Sequence, residues 1–547
     1  MHNALLISEV LGCIVDYLAE DTVRNPPDKF PAKDARKTGR RALAVLSRTC
    51  RALSEPALDA LWRRIHSLEP LLLCLPTKAS YDDATVDGAL VWHFSSEDAQ
   101  YLQYHPNQPP FSDEEWNIVL RYAPRVQELS LEYEHLSMKI LQSLWFRTTL
   151  LLPNLRKLRW MYEDYTAIAS IRLLLSPSLV HLHVWLDGGD HSSVLGFLEC
   201  YHTLCPNLKS LHFGHLCRFP HVTAAISRAI SRSPNLESLG CDPINEAALI
   251  HIAESRCLKK FNASLLNYQP DDLRSLASHV TPDHPPFENL RVLELRVEDL
   301  SSIIPYLASH HQPFEEVSFD FRMYPPSEVF HEFFTALSSP TRRKTLRRIR
   351  LLCLGLRRRR HGLGSSQLVT FQVLSPLMTF NLRELDVNIN NPVSLNDDEL
   401  VRLVQAWPEL DTFNFNQCSG WDIRPSFQIP TLRGLLLLLA RCPKLRDLGL
   451  CFDARNIPSL SGDESSIRNT AIARLSVGNS PIQGPIAGVA HFLIEHLPSL
   501  IALPSWTSFS GKSSLEYRQM WRQVDKQIRE ILGRASSSSS ESSDSEM

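Results

Sequence analysis

The 547-residue chain lacks the short motifs that mark most enzyme chemistries. It has no Gly-x-Ser-x-Gly nucleophile turn, no phosphate-cradling Walker loop, no Gly-x-Gly-x-x-Gly turn and no His-Glu-x-x-His helix. It also lacks any Cys-x-x-Cys pair. The closest two of its 12 cysteines are Cys200 and Cys205, which argues against a disulfide framework. Cys241, Cys257 and Cys442 read instead as reduced core or loop thiols of an intracellular protein. Long apolar runs are missing too. Leu71–Leu75 and Leu435–Ala440 fall far short of the roughly 20 residues that span a bilayer. The N-terminus has no basic leader, and Glu9 and Asp16 interrupt its apolar positions, so it does not read as a secretory signal. Nor is there an excess of one charge. Lys plus Arg total 57 against 60 Asp plus Glu, a net charge of -3, which leaves no general nucleic-acid footprint. The expectation is a soluble, non-catalytic protein of the cytoplasm or nucleus, with no cofactor, metal, nucleic acid or membrane partner.

What the chain does have is a repeated phrase. Residues 153–160 read Pro-Asn-Leu-Arg-Lys-Leu-Arg-Trp, and residues 206–213 read Pro-Asn-Leu-Lys-Ser-Leu-His-Phe. The frame is an apolar anchor, a second three residues on, and a third two after that. It recurs fourteen times, with first anchors at Val126, Leu155, Leu179, Leu208, Leu236, Leu258, Leu290, Phe314, Leu346, Leu382, Leu410, Leu445, Ile472 and Leu500. Ser505 takes the third slot of the last copy. The copies average about 29 residues, at the top of the range of leucine-rich repeats. Alternation within each phrase predicts a short strand with its anchors inward, and stretches such as 222–234 and 397–408 predict the returning helices. The fold class is therefore α/β, a horseshoe-like solenoid over 121–505.

Outward positions between the second and third anchors make one polar face. That face includes Arg159, His183, His212, Asn262, Glu294, Arg350, Asp386 and Asn414, and Arg348 lies beside Arg350. A face of such mixed charge suits recognition of a protein substrate. Arg342, Arg343, Lys344, Arg347, Arg348, Arg350 and Arg357–Arg360 form a dense basic run. It reads either as an electropositive patch for acidic partners or as solvated strand and loop positions. His181, His183 and His212 are outward neighbours that read as polar surface. Gly188-Gly-Asp-His-Ser192 reads as a turn after a strand.

Ahead of the repeats, residues 3–18 have helical spacing at Leu6, Val10, Leu11, Ile14, Val15 and Leu18. Residues 20–41, with Pro26, Pro27 and Pro31, read as an exposed inserted loop, and 42–66 as helical again. Residues 67–120 read as a linker with transition helices, and Ser112-Asp-Glu-Glu predicts a capped helix start. After the repeats, residues 506–534 contain a terminal capping helix whose stripe is Leu515, Met520, Val524, Ile528 and Ile531. The last 13 residues, 535–547, form an acidic, Ser-rich tail of disordered composition.

The segment from Leu6 to Leu18, with Thr49-Cys-Arg51 and Ala60-Leu-Trp-Arg63, resembles the helical domain of fungal F-box proteins. Ile7 stands where that family has proline, and 20–41 is an insertion relative to it. The resemblance implies an F-box over 1–66 that holds a Skp-family adaptor and, through it, a cullin ligase. The contact residues it implies are Leu6, Ile7, Leu11, Leu46, Leu53 and Trp62. The function implied is substrate recognition in a ubiquitin ligase, with the repeats holding an unknown substrate protein. The alternative is a repeat scaffold with no ligase connection.

Overall fold

Thirteen of the fourteen copies of the phrase become a tight turn followed by a parallel strand. The computed structural model describes residues 8–20, 33–74, 112–132, 141, 144, 147–161, 165–185, 191–214, 219–242, 244–266, 286–354, 367–389, 391–417, 421, 423, 427–503 and 512–533. Leu6, Ile7, Ser505, Arg357–Arg360, Gly188–Asp190 and the tail 535–547 lie outside them. The chain divides into two compact units, Met1–Ala248 and Leu249–Met547.

The first unit begins with three helices, α1 (Ser8–Glu20), α2 (Lys33–Leu46) and α3 (Arg51–Trp62). They enclose a small core of Leu11, Val15, Leu43, Ala57 and Ala60, with Leu18, Leu46, Leu53 and Leu61 packed at its edge. The expectation of a loop over 20–41 is corrected here, because α2 starts at Lys33. Lysine, arginine and alanine are strong helix formers, and Leu43 in the second half of the helix is buried. The helical reading of 42–66 is also corrected at its end. Arg64–Ile65 is a strand, β1, with Ile65 buried.

Five strands follow: β2 (Glu128–Glu132), β3 (Lys157–Met161), β4 (His181–Trp185), β5 (Ser210–Gly214) and β6 (Ser238–Cys241). Each pairs in parallel with the one before, and β1 pairs with β2. Anchors two and three of these five copies are all buried. The first anchor sits in the turn. Leu155 N–H donates to Leu152 O at 3.2 Å and Leu208 N–H to Cys205 O at 3.3 Å. The Pro-Asn-Leu spelling has a physical reason. Asn154 Nδ2 donates to Pro124 O at 2.8 Å, Ser178 Oγ to Pro153 O at 2.7 Å, and Asn207 Nδ2 to Pro177 O at 2.9 Å. Each turn thus satisfies a carbonyl of the turn one repeat earlier, which a bare loop would leave to water.

The helical cluster is fastened to these strands at two points. Gln127 and Glu128 N–H both donate to Arg63 O, at 3.0 and 2.8 Å. Arg125 forks onto two acids of α3, reaching Glu55 at 2.5 Å and also Asp59. Ser112 and Glu115 form the anticipated reciprocal cap on the helix Asp113–Tyr122.

The second unit carries β7 (Lys260–Ser264), β8 (Val292–Val297), β9 (Glu316–Phe321), β10 (Arg348–Cys353), β11 (Val369–Thr370), β12 (Glu384–Asn388), β13 (Val393–Ser394), β14 (Thr412–Phe415), β15 (Asp447–Gly449) and β16 (Arg474–Ser476). Eight pair in parallel in the order β7-β8-β9-β10-β12-β14-β15-β16, while β11 and β13 form a separate two-stranded ladder. Among the described residues fourteen strands therefore belong to these runs, six in the first unit and eight in the second, apart from the β11–β13 ladder. Thirteen come from the repeated phrase and one, β1, from outside it. The fourteenth copy makes only a single bridge, from Ala502 to Arg474. The expected helices are present at Pro220–Ser231 and Asp397–Val404.

The terminal helix spans Lys512–Ile531 and packs on the helix Ile486–His496. Its buried stripe is Trp521, Val524 and Ile528, whereas Ile531 is exposed, which corrects the expected stripe at that end. Trp521, next to the half-buried Met520 of the expected stripe, joins it at the other end, where its ring meets Phe452 and its Nε1 donates to Ser480 O at 2.9 Å; the side chain of Leu515 lies outside the described ones. Among the described residues no helix is long and apolar enough to cross a membrane.

Candidate functional site

The strand register places the outward positions in rows. In the first unit, Ser130, Arg159, His183, His212 and Gly240 are paired neighbours. In the second, Asn262, Glu294, Ser318, Arg350, Asp386, Asn414, Gly449 and Ser476 follow one another. The face foreseen from the phrase is therefore real as a row within each unit. Its chemistry differs from what the letters alone imply.

On the first unit's face, rings lie down across the sheet. The His183 and His212 rings meet edge to face with centroids 4.2 Å apart. A Cβ on Gly240 would stand 1.8 Å from His212 Nδ1, and one on Gly214 would stand 2.3 Å from Trp185 Cε3. The two glycines are thus the floor on which these rings rest. His183 Nε2 is buried without a hydrogen-bond partner. Burial, with His212 and Arg159 adding to it, pulls the His183 pKa down to about 4, so the ring is neutral at pH 7. Arg159 is exposed beside it. A lower row carries charge, with Glu128 taking Arg64 at 2.9 Å and Lys157 at 3.3 Å.

The second unit's face is a ladder of ion pairs. Glu294 accepts from Lys260 Nζ at 2.6 Å and from Asn262 Nδ2 at 2.5 Å. Arg350 Nε reaches Glu384 at 2.6 Å, and Arg348 reaches Glu316 at 3.4 Å and Glu384 at 3.5 Å. Two arginines on β10 thus stand over carboxylates from β9 and β12. Those carboxylates are the more buried partners, so the guanidinium groups form the outer layer. Asp386 is half-buried next to them. Asn414 is buried, and its Nδ2 leans toward Asp447 Oδ2 at 3.4 Å. Its place as a substrate contact is corrected, because Gln417 folds over the neighbouring Gly449 and closes that position.

The basic run separates into different jobs. Arg342 is fully buried. It donates to Ala336 O at 2.9 Å, Leu307 O at 3.0 Å and His310 O, and its guanidinium lies 5.3 Å from the Phe314 ring centre. Burial draws its pKa down to about 10. Arg343 Nε donates to Ser338 O at 2.9 Å at the end of the helix Ser327–Leu337. Arg347 donates to Leu346 O and Asn381 O in the turns. Among the described members of the run, only Arg348 and Arg350 present a guanidinium on the strand face, and both are paired. Arg343 and Lys344 are exposed at the helix that precedes the strand.

On the helical cluster, the implied adaptor contacts sort by burial. Leu11 belongs to the cluster's own core, and Leu46 and Leu53 pack at its edge. Trp62 is buried and stacks on Tyr122 with centroids 4.8 Å apart. Leu11 and Trp62 as surface contacts are therefore corrected, since helices this short must bury their largest apolar groups to hold together. Among the described residues the large apolar side chains of the cluster that face outward are Val10, Tyr17 and Val45, at 38%, 61% and 58% exposure. Val10 and Tyr17 lie seven residues apart, on one face of α1, with exposed Cys13 between them.

The ten described cysteines are free. Burial pushes the Cys205 and Cys442 thiols up to about 12, leaving them protonated and inert as core groups. Cys241 is buried as well, and Cys257 is exposed. Among the described residues no group of three or more His, Cys, Asp or Glu stands close enough to share a metal ion. No protein-family model and no curated protein matches this chain.

The buried asparagines were not foreseen from the sequence. Asn416, in the left-handed region at φ 54°, accepts from Ile389 N–H at 2.7 Å and donates to Asn391 O. Asn479 accepts from Trp421 N–H at 2.8 Å and donates to Trp421 O at 2.6 Å. An asparagine just past a repeat strand was the available signal, since asparagine tolerates that backbone and can satisfy both peptide groups.

Proposed function

We propose that the chain is the substrate-recognition subunit of a Skp/cullin/F-box-type ubiquitin ligase. The three-helix cluster binds the adaptor, and the outward strand faces bind the substrate protein. The chain supplies no catalytic group in this reading. Its role is to bring a substrate lysine near ubiquitin carried by the other subunits. The observation that supports it best is the cluster itself. It has a small core of its own and exposes Val10, Tyr17 and Val45, and small helical units with exposed apolar groups mark interfaces. Its two ties to the first strands, at Arg63 and Arg125, suit a subunit that must hold substrate at a set distance from the adaptor.

Co-purification of the full chain with a Skp-family adaptor tests this. The expected result is a stable complex that Tyr17→Asp together with Val45→Asp disrupts, with the helical circular-dichroism signal unchanged. A wild-type chain that never holds the adaptor sinks the ligase reading in favour of a repeat scaffold. A double variant that still binds sinks the choice of surface.

A further inference from the structure

Away from the strand faces, two exposed or half-exposed histidines face each other on adjacent repeats of the first unit. His191 opens the helix His191–Leu204, and His221 lies in the first turn of Pro220–Ser231. The His221 Nε2 to His191 Nδ1 distance is 2.9 Å, and the ring centroids are 4.8 Å apart. Phe219 walls one side, with its ring centre 4.4 Å from that of His191. None of the helix, strand or turn arrangement described above needs this pairing. The two rings are carried by separate helices that pack side by side, each with a buried face of its own that includes Val194 and Phe197 on one and Ala225 and Ile226 on the other.

We propose that this pair is a binding site for a divalent transition metal of tetragonal preference, Cu2+ first and Ni2+ next. The argument is geometric. Metal–imidazole bonds are about 2.0–2.1 Å. Two nitrogens 2.9 Å apart then subtend about 90° at the metal, the cis angle of square-planar and octahedral ions rather than the wider angle of a tetrahedral one. The metal takes the place of the single proton the two nitrogens now share, and that proton moves to an outer ring nitrogen. Water completes the coordination, because the site faces solvent. Two nearby helix N-termini oppose a cation, so the site is of modest affinity and ranks metals in the Irving–Williams order. Bound metal would clamp two successive repeats on their helical side.

Isothermal titration of the full-length wild-type protein with CuCl2, NiCl2 and ZnCl2 at neutral pH tests the proposal. His191→Ala, His221→Ala and the control His331→Ala are titrated alongside. The expected result is one Cu2+ site that weakens about tenfold or more in either pair variant, since even outer-shell losses cost that much, and stays intact in the control. Electron paramagnetic resonance of the Cu2+ complex should show two coordinated nitrogens in the wild type and fewer in each pair variant. Binding should weaken at acid pH, where protons compete for the same nitrogens. Equal affinity in wild type and both pair variants overturns the proposal, and so does a strongest site that prefers Zn2+ over Cu2+. Because His221 is exposed and His191 only half-buried, thermal melts of the variants should match the wild type, so lost binding will not reflect lost folding.

Discussion

The outward faces of the two units are built from the same repeated frame yet solve the same problem differently. In the first unit, Gly214 and Gly240 let Trp185 and His212 lie flat, and His183 is held neutral beside His212. In the second, Lys260, Glu294, Arg348, Arg350, Glu316 and Glu384 neutralise one another across strands. The frame dictates where side chains stand, but not what they do there. One face offers rings and a buried imidazole, and the other a mosaic of paired charges. A protein partner would meet packed rings beside an exposed Arg159 on the first and ion-paired side chains on the second.

The largest test of this contrast lies under the second face. Arg342→Met removes a buried cation that satisfies three carbonyls. It should cost about 3 kcal/mol in chemical denaturation, since those carbonyls are left bare. A cost under about 1 kcal/mol would mean water replaces the guanidinium. In the first unit, Gly240→Val drives a side chain into the His212 ring and should cost about 2 kcal/mol by overpacking. The equivalent Ser318→Val on the second face has no ring to displace and should be nearly neutral.

Acid should separate the faces next. The folded pKa of His183 lies below its unfolded value, so the unfolded chain binds the extra proton first. Stability that is present above about pH 6.5 should fall as the pH drops toward 4, and level off below that. After allowance for solvent screening the loss is about 1 kcal/mol, and His183→Gln should abolish that part of the profile. The smallest effect belongs to Arg350→Ala, which removes an exposed member of the ion-pair ladder and should cost about 0.5 kcal/mol. That cost should vanish in 1 M salt, where the Debye length is about 3 Å. Salt-insensitive loss would show that Arg350 acts through packing of its stem.

Much of the fold was legible because its signal is periodic. The anchors at Val126, Leu155 and their eleven successors through Ile472 each precede a strand by two residues, and all are buried. Leu500 is buried too, but its copy makes only one bridge. The start of α2 at Lys33 was hidden by a composition of charges and prolines that resembles a loop, although most of those residues favour helices. β1 was hidden because two residues, Arg64–Ile65, carry no period at all. They become a strand only because β2 offers them an edge.

The candidate site was legible by position and not by environment. His183, His212, Arg348 and Arg350 stand where the frame put them. Nothing local to Asn414 tells that Gln417 will close over its neighbour, or to Arg342 that it will end in the core while Arg348 stays outside. Those outcomes depend on residues 30 or so positions away that arrive only when repeats stack.

By itself, then, the sequence determined the periodic architecture, because an apolar anchor every repeat has one way to be buried and its spacing is local information. Only the tertiary structure decided the chemistry of the faces. Whether an arginine is a surface charge or a buried cap, and whether a histidine is protonated, depends on the desolvation and partners supplied by the next strand, which no stretch of sequence carries alone.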